Sequence, residues 1–414
     1  MNQQLKVGVI GGGAAGFFGA IACADANPHA NVTLLEAGSQ PLSKVRISGG
    51  GRCNVTHHCF ESARLVLNYP RGGKALRGAF SRFQPQDTIK WFQSRGVRLK
   101  TEADGRMFPV TDSSETIVNC LTTAANKAGV IVSTNSAVKN INKTDASKFQ
   151  IELKNGTILK GDRLLIATGS NPLGYRWAKQ LGHTIITPVP SLFTFKIDDP
   201  RIKGLAGISV DNARTTLIIS GKKTLEQTGA LLITHWGLSA PAILKLSAWG
   251  ARVLHENKYS LSLKVNWLPN YNLETLKAYL LTVKAATPKK KIVNYCPVEL
   301  PKRLWQSLVD YVGIDRDKIW AELNKKELNK LVSEIIQGQY KIQGKGVFKD
   351  EFVTCGGVSL KEINFKTMSS KICPHLYFAG EILDIDGVTG GFNFQSAWTT
   401  GWLAGNAMSV SSYV

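Results

Sequence analysis

The sequence predicts an α/β fold of the doubly wound, parallel-sheet type, assembled from both ends of the chain, with a β-rich and helical segment inserted between them. Three observations predict it: a glycine-rich turn directly after an apolar strand at the chain start, a second strand–turn–helix unit near the C-terminus, and a change of pattern between the two. At the start, Leu5 to Ile10 reads as a buried strand. Gly11 to Gly16 follow as G-x-G-x-x-G, then a small-residue apolar helix from Phe17 to Ala24, then a second strand, Val32 to Leu35, ending at Glu36. Each part has a mechanical reason. Gly11 permits the tight turn, Gly13 lets the backbone approach a pyrophosphate, and Gly16 lets the helix pack closely on the strand. The helix opening at Ala14, Ala15 and Gly16 offers N–H groups and the positive end of its dipole to phosphates. Glu36, with Ala37 beside it, stands where a carboxylate accepts hydrogen bonds from a ribose. Strand, turn, helix, strand and acid in this order read as a Rossmann-type dinucleotide site.

The rest of the chain chooses the dinucleotide. Leu164 to Gly169 is a buried strand ending in Ala167-Thr168-Gly169. Before it lie three short β-like runs: Ala137 to Ile141, which carries Val138, then Phe149 to Leu153 and Thr157 to Lys160. Asn155-Gly156 is a tight-turn signal between the last two. Such a β-meander covers the FAD domain of two-dinucleotide-fold flavoproteins. Near the C-terminus, Leu376 to Glu381 is another strand ending in a small residue and an acid, with Gly390-Gly391-Phe392-Asn393-Phe394-Gln395 opening a helix that runs to Met408. Glu381, after Gly380, can hold a ribityl hydroxyl. The N–H groups around Phe392 to Phe394 can face the flavin pyrimidine oxygen and stabilise negative charge on a reduced ring. The expectation is non-covalent FAD. No second G-x-G-x-x-G follows a strand; Gly344-Lys345-Gly346 lacks the third glycine and an apolar helix. NAD(P)H therefore enters only as a transient reductant docked against the ring, and reduction by the substrate stays open.

Lys44 to Asn54 forms a loop in which Gly49, Gly50 and Gly51 are flanked by Lys44, Arg46 and Arg52. A cationic, backbone-exposed loop of this kind can wrap phosphate. Cys53 in it is either a small packed residue or a reactive thiol. Two further catalytic candidates stand outside. His235, read at a strand-to-helix junction before a helix from Leu238 to Trp249, either donates a proton near the flavin or caps that helix. Arg106 either anchors a substrate carboxylate or sits in an ion pair.

These residues resemble the BaiN-like flavoproteins, the aminoacetone-oxidase-family NAD(P)/FAD-dependent oxidoreductases. The matching motifs are Val9 to Gly16, Ile47-Ser48-Gly49-Gly50-Gly51-Arg52-Cys53-Asn54, Thr234 to Pro241, and Phe378 to Gln395. The resemblance implies non-covalent FAD and an insert between two FAD-domain segments. There are departures: Ser170 where a glycine often follows, Ala240 where a glycine is common, and His57 at a position that is often asparagine.

Bulk properties bound the rest. At 414 residues the chain exceeds the roughly 250–300 at which one core stops growing. The expected division is 1–187 for the first FAD-domain segment, 188–345 for the insert, and 346–414 for the second segment. Within the insert, Thr215 to Ser220, Leu225 to Thr234 and Tyr259 to Trp267 read as strands, with a turn at Ser220-Gly221-Lys222-Lys223; Leu273 to Val283, Arg303 to Val312 and Leu328 to Gln337 read as helices. The seven cysteines are scattered, without C-x-x-C, which argues against a disulfide framework, a redox pair and the usual zinc spacings; no metal is expected. No run is long and apolar enough to span a bilayer, and the start is not a signal peptide, so the expected location is the cytoplasm. The net charge is +21, with 24 Lys and Arg against 13 Asp and Glu between 188 and 345. Such charge speaks to partners and solubility rather than fold. The leading expectation is an FAD-dependent oxidoreductase acting on a small molecule. A tRNA- or nucleic-acid-modifying flavoenzyme is the alternative, disfavoured because no basic stretch is interleaved with aromatic residues. A flavin-bound redox sensor without turnover is the third. Oligomeric state is not legible.

Overall fold

The computed structural model describes residues 4–144, 148–219, 224–346 and 353–410. The chain divides into two units, Met1–Pro188 with Val353–Val414, and Val189–Phe352.

In the first unit, five parallel strands lie in the order Leu376–Phe378, Arg163–Ile166, Lys6–Ile10, Asn31–Leu35 and Ile131–Ser133. Ile363–Asn364 and Ser369–Ser370 extend the sheet antiparallel beyond Leu376–Phe378. The chain leaves Lys6–Ile10 toward one side and returns through Arg163–Ile166 on the other. That reversal opens a crevice at the carboxyl ends of these two strands, where open α/β sheets bind ligands. The meander is Val138–Lys143, Phe149–Leu153 and Ile158–Gly161.

Two helices with almost no amphipathic stripe pack against the sheet. Ala14–Ala26 and Phe392–Ser409 are buried on most sides because their residues are small or apolar. Their backbones nearly touch. A Cβ on Gly401 would stand 2.6 Å from Ala15 O, and one on Gly405 would stand 2.3 Å from Gly19 O. Contacts rise together along both helices, so they run parallel, and their N-termini point to the same edge of the sheet.

The second unit has a seven-stranded antiparallel-dominated sheet, in which Ser209–Ile218 pairs with both Leu225–Thr234 and Ser262–Asn266. The helices Leu273–Ala286, Lys302–Tyr311 and Lys325–Gln337 share its core, which holds the fully buried Trp267, Trp305 and Trp320. The predicted turn at Ser220 to Lys223 lies outside the described residues. One element is corrected: the expected helix Leu238 to Trp249 is a short strand, Gly237–Ser239, followed by a helix from Pro241 to Trp249. Pro241 sets the start, since proline fits the first helical turn but not the interior.

Candidate functional site

The glycines of the first turn do three different jobs. Gly11 has φ 108°, and a Cβ there would lie 2.4 Å from Ala167 O; the turn presses against the returning strand. A Cβ on Gly16 would lie 1.9 Å from Gly11 O, so only glycine lets the helix start there. Gly13 is opposite in kind: nothing stands within 4 Å of its Cβ position. The first intrahelical bond is Phe17 N–H to Gly13 O, 3.0 Å. The N–H groups of Ala14, Ala15 and Gly16 therefore have no acceptor in their own helix and face this space with the positive dipole end. That is a cradle fit for a phosphate.

Glu36 is held in place beside it. Its Oε2 accepts from Gly12 N–H and its Oε1 from Gly38 N–H, both 2.8 Å. Ala37 next to it is exposed. Ser136 N–H donates to Glu36 O, 2.8 Å, which brings the meander and its buried Val138 to the same edge.

The returning strands complete the edge. Ala167 N–H donates to Ile10 O, 2.8 Å. Gly169, φ 59°, lies close to Glu381: a Cβ would be 3.6 Å from Glu381 Oε2. The Thr168 hydroxyl is buried with no hydrogen-bond partner, an unusual state for a buried polar atom and one a bound polar ligand would relieve. Gly380, φ 76°, packs on Ala15, where a Cβ would meet the Ala15 methyl at 2.8 Å. Glu381 forms an ion pair with Lys44, 2.6 Å, and accepts from Thr354 N–H, 2.9 Å. Residues from stretches far apart in the chain thus converge.

The segment after Lys44 differs from the expected loop. It begins as a helix at Ser43, breaks at Ser48 (ψ 148°), and continues through Gly49, Gly50 and Gly51 at φ 58°, 69° and 83°. Three successive left-handed residues explain the three glycines. The Cβ positions of Gly50 and Gly51 are open. Arg52 is not offered to phosphate: it pairs with Glu102 at 2.7 Å and Asp112 at 3.5 Å, with its guanidinium 4.0 Å over the Phe108 ring. Asn54 joins this segment to the last helix, donating to Thr56 O at 3.1 Å and accepting from Gly391 N–H at 2.9 Å.

The last helix opens at the same edge. Gly391 is its N-cap, φ 90°, and a Cβ there would stand 2.5 Å from Thr56 O. The first intrahelical bond is Gln395 N–H to Gly391 O, 3.0 Å, so the N–H groups of Phe392, Asn393 and Phe394 precede it. Since Ala15 lies level with Gly401, Phe392 stands nine residues further out, about 13 Å along the helix at ~1.5 Å per residue. The two helix openings are therefore offset along one direction, as an extended dinucleotide requires. Phe394 is half-buried and stacks on Trp398, centroids 5.6 Å apart.

Residues outside the sequence-predicted set, together with Asn393 from within it, lock this opening. Asp386 is fully buried and ion-paired with Arg71. The Tyr69 hydroxyl donates to Phe392 O, 2.7 Å, and Asn393 exchanges hydrogen bonds with both backbone groups of Gly387. Gln395, fully buried, accepts from Thr56 and Thr88 hydroxyls at 2.6 and 2.9 Å. The Phe378 to Gln395 motif contains Asp386, Gly387 and Asn393, but nothing in the sequence pointed to Tyr69, Arg71 or Thr88.

The three catalytic candidates are placed as follows. Cys53 is fully buried, and burial pushes its thiol up to about 12, which suits a packed residue rather than a nucleophile. Arg106 pairs with Glu102 and Asp104 at 3.0 and 2.7 Å. His235 belongs to the second unit and is corrected: it is exposed in a two-residue turn between Leu225–Thr234 and Gly237–Ser239, not at a helix junction, so it caps nothing. Ser370, His183 and Glu362 form a hydrogen-bonded chain of 2.8 and 3.1 Å in the order of a hydrolytic triad. The Ser370 oxygen, however, already accepts from the N–H groups of Ile372 and Cys373, which leaves it a turn-forming residue.

Fold and site together define a class: a Rossmann-type flavoprotein of the two-dinucleotide-fold kind, an FAD-dependent oxidoreductase. Within that class the chain belongs to the HI0933-like family, whose Rossmann-domain model matches residues 5–407. It is 31% identical over 405 residues to the ribosomal RNA dihydrouridine synthase of Escherichia coli K12, covering 95% of each chain. It is 28% identical over 410 residues to the 3-dehydro-bile acid delta(4,6)-reductase of Clostridium scindens, covering 97% of this chain and 98% of that one. Among solved structures, the 3-ketosteroid-delta4-(5alpha)-dehydrogenase of Rhodococcus jostii RHA1 shares the fold at TM-score 0.52 and 14% identity, covering 99% of this chain and 98% of that chain. No described helix is long and apolar enough to cross a membrane.

Proposed function

We propose that this chain binds FAD non-covalently at the C-terminal edge of its parallel sheet and reduces a carbon–carbon double bond conjugated to a carbonyl, with uridine in RNA as the substrate. In this reading Gly11, Gly13, Ala14, Ala15 and Gly16 cradle the pyrophosphate, and Glu36, with Ala37 and Val138, receives the adenosine end. Thr168 and Gly169, with Gly380 and Glu381, line the path of the ribityl chain. Lys44, Gly50, Gly51, Asn54 and the opening of the last helix receive the ring. FAD, when bound and reduced by NAD(P)H, would supply a hydride to one carbon of the conjugated bond, the proton on the other carbon coming from solvent. The protein's own contribution is position and charge: the Phe392 to Phe394 N–H groups favour negative charge at the ring, and the Arg71–Asp386 pair fixes that helix opening. NAD(P)H serves as a transient reductant.

The net charge of +21 carries the substrate choice, because neutralising phosphates is what such an excess does best. The full-length similarity to a ribosomal RNA dihydrouridine synthase supports it. The test is anaerobic incubation of flavin-loaded protein and NADPH with ribosomal RNA, followed by nucleoside mass spectrometry. Uridine gaining two hydrogens supports the proposal; unchanged uridine with intact flavin reduction sinks the RNA substrate. The second reading is a small conjugated ketone, favoured by the similarity to a 3-dehydro-bile acid reductase. It requires the same bond chemistry, and dienone reduction in the same assay selects it.

A further inference from the structure

Sequence spacing showed no basic stretch interleaved with aromatics, but the fold makes one from separate segments of the second unit. Tyr271 precedes the helix Leu273–Ala286, Tyr279 lies on it, and Tyr295 follows the Ile292–Asn294 turn. All three rings are half-buried. Tyr271 and Tyr279 lie 5.9 Å apart, centroid to centroid. The Tyr279 hydroxyl donates to Pro297 O, 2.8 Å, which ties the helix to the Tyr295 segment. Lys290 places its ammonium 3.9 Å from the Tyr295 ring centre. Lys289, Lys290 and Lys291 are exposed. Lys291 pairs with Asp317 at 2.6 Å, whereas Lys289 and Lys290 have no acidic partner among the described residues. The support beneath is rigid: Asn272 accepts from Thr275 N–H, 2.8 Å, and Thr275 Oγ1 accepts from Asn272 N–H, 2.9 Å, capping the helix where Tyr271 enters.

We propose that Tyr271, Tyr279 and Tyr295, with Lys289 and Lys290, form a docking surface for a single-stranded stretch of the RNA substrate, the rings stacking on bases and the two ammonium groups meeting phosphates. Both halves of that chemistry are the ones used by proteins that hold single strands: aromatic platforms, indifferent to sequence because every base has a π-face, and a positive flank that tracks the backbone. Charge complementarity selects the occupant. A neutral protein face or an apolar ligand would cover the rings but gains nothing from Lys289 and Lys290, neither of which has an acidic partner among the described residues. The proposal rests on RNA being the substrate.

Fluorescence anisotropy of a labelled oligouridylate, titrated with the flavin-loaded protein at several salt concentrations, tests it. The wild type is expected to bind with a steep salt dependence. Tyr295→Ala should weaken binding about tenfold, as the loss of one stacked base implies, while Tyr295→Phe should keep it. Lys289→Ala with Lys290→Ala should lower the slope of log affinity against log salt by about 1–2. Unchanged flavin absorbance and elution volume show that a variant is folded. If the wild type binds and these variants bind equally well, the surface is wrong and the RNA reading stands. If the wild type binds no oligouridylate or ribosomal RNA at low salt, both fall. Retention of a protein partner through the patch, with RNA binding unaffected by Tyr295→Ala, also overturns it.

Discussion

The two units of this chain use their residues in opposite ways. The first concentrates glycines, helix openings and backbone N–H groups at one sheet edge, with only a few side chains such as Glu36 and Glu381 among them. The second fills its interior with Trp267, Trp305, Trp320 and many Leu and Ile and sets lysines and half-buried tyrosines at its surface. A site built from backbone needs glycine at fixed spacing, so it leaves a signature in sequence. A surface built from side chains on separate elements leaves none.

The sharpest way to break that contrast is to add one methyl group. Gly16→Ala puts a Cβ 1.9 Å from Gly11 O and should cost about 4 kcal/mol or more, read by denaturant unfolding. In the second unit, Leu308→Ala, at a fully buried position, should cost about 3 kcal/mol through its cavity and leave the flavin spectrum unchanged. Loss of flavin in that variant would show that the units are not separable in this sense. Gly13→Ala has open space, so the fold should survive. FAD affinity should fall about tenfold, or ~1.4 kcal/mol, in equilibrium titration of the apoprotein; unaltered affinity would remove Gly13 from the cradle.

Ala240 sharpens the comparison inside the second unit. It has φ 78° and ψ 176°, a backbone region that essentially only glycine adopts without strain. The sequence departure from glycine at this position is therefore a strained residue, and Ala240→Gly should stabilise by about 1 kcal/mol, visible as a raised melting temperature. The smallest effect is on pH. Burial holds His183 below its ordinary value near 6.5 despite its contact with Glu362. The unfolded chain then takes up a proton first as pH falls through about 6.5, so stability should be present above that pH and decline below it. His183→Gln should flatten the decline in melts between about pH 6.5 and 4.5.

Much of the sheet edge proposed to hold the flavin was legible as local structure. The strand, turn and helix order at Gly11 to Gly16, Glu36, the strand ending at Thr168-Gly169 and the opening of the last helix all follow from local periodicity and backbone need. What escaped was long-range. Arg52 looked like a phosphate ligand because its acids, Glu102 and Asp112, arrive from some 50 residues or more away. The Arg71–Asp386 pair, in which the carboxylate is fully buried, joins segments with no sequence relation. His235 was misplaced because an apolar run from Leu238 suits a strand and a helix equally until Pro241 divides it.

The most direct test of the flavin edge is to precipitate the purified protein with acid and chromatograph the supernatant. The structure predicts intact FAD released in near-equimolar amount, and much less from Gly13→Ala. Flavin retained in the precipitate, a nicotinamide nucleotide in its place, or no nucleotide after gentle purification would contradict it.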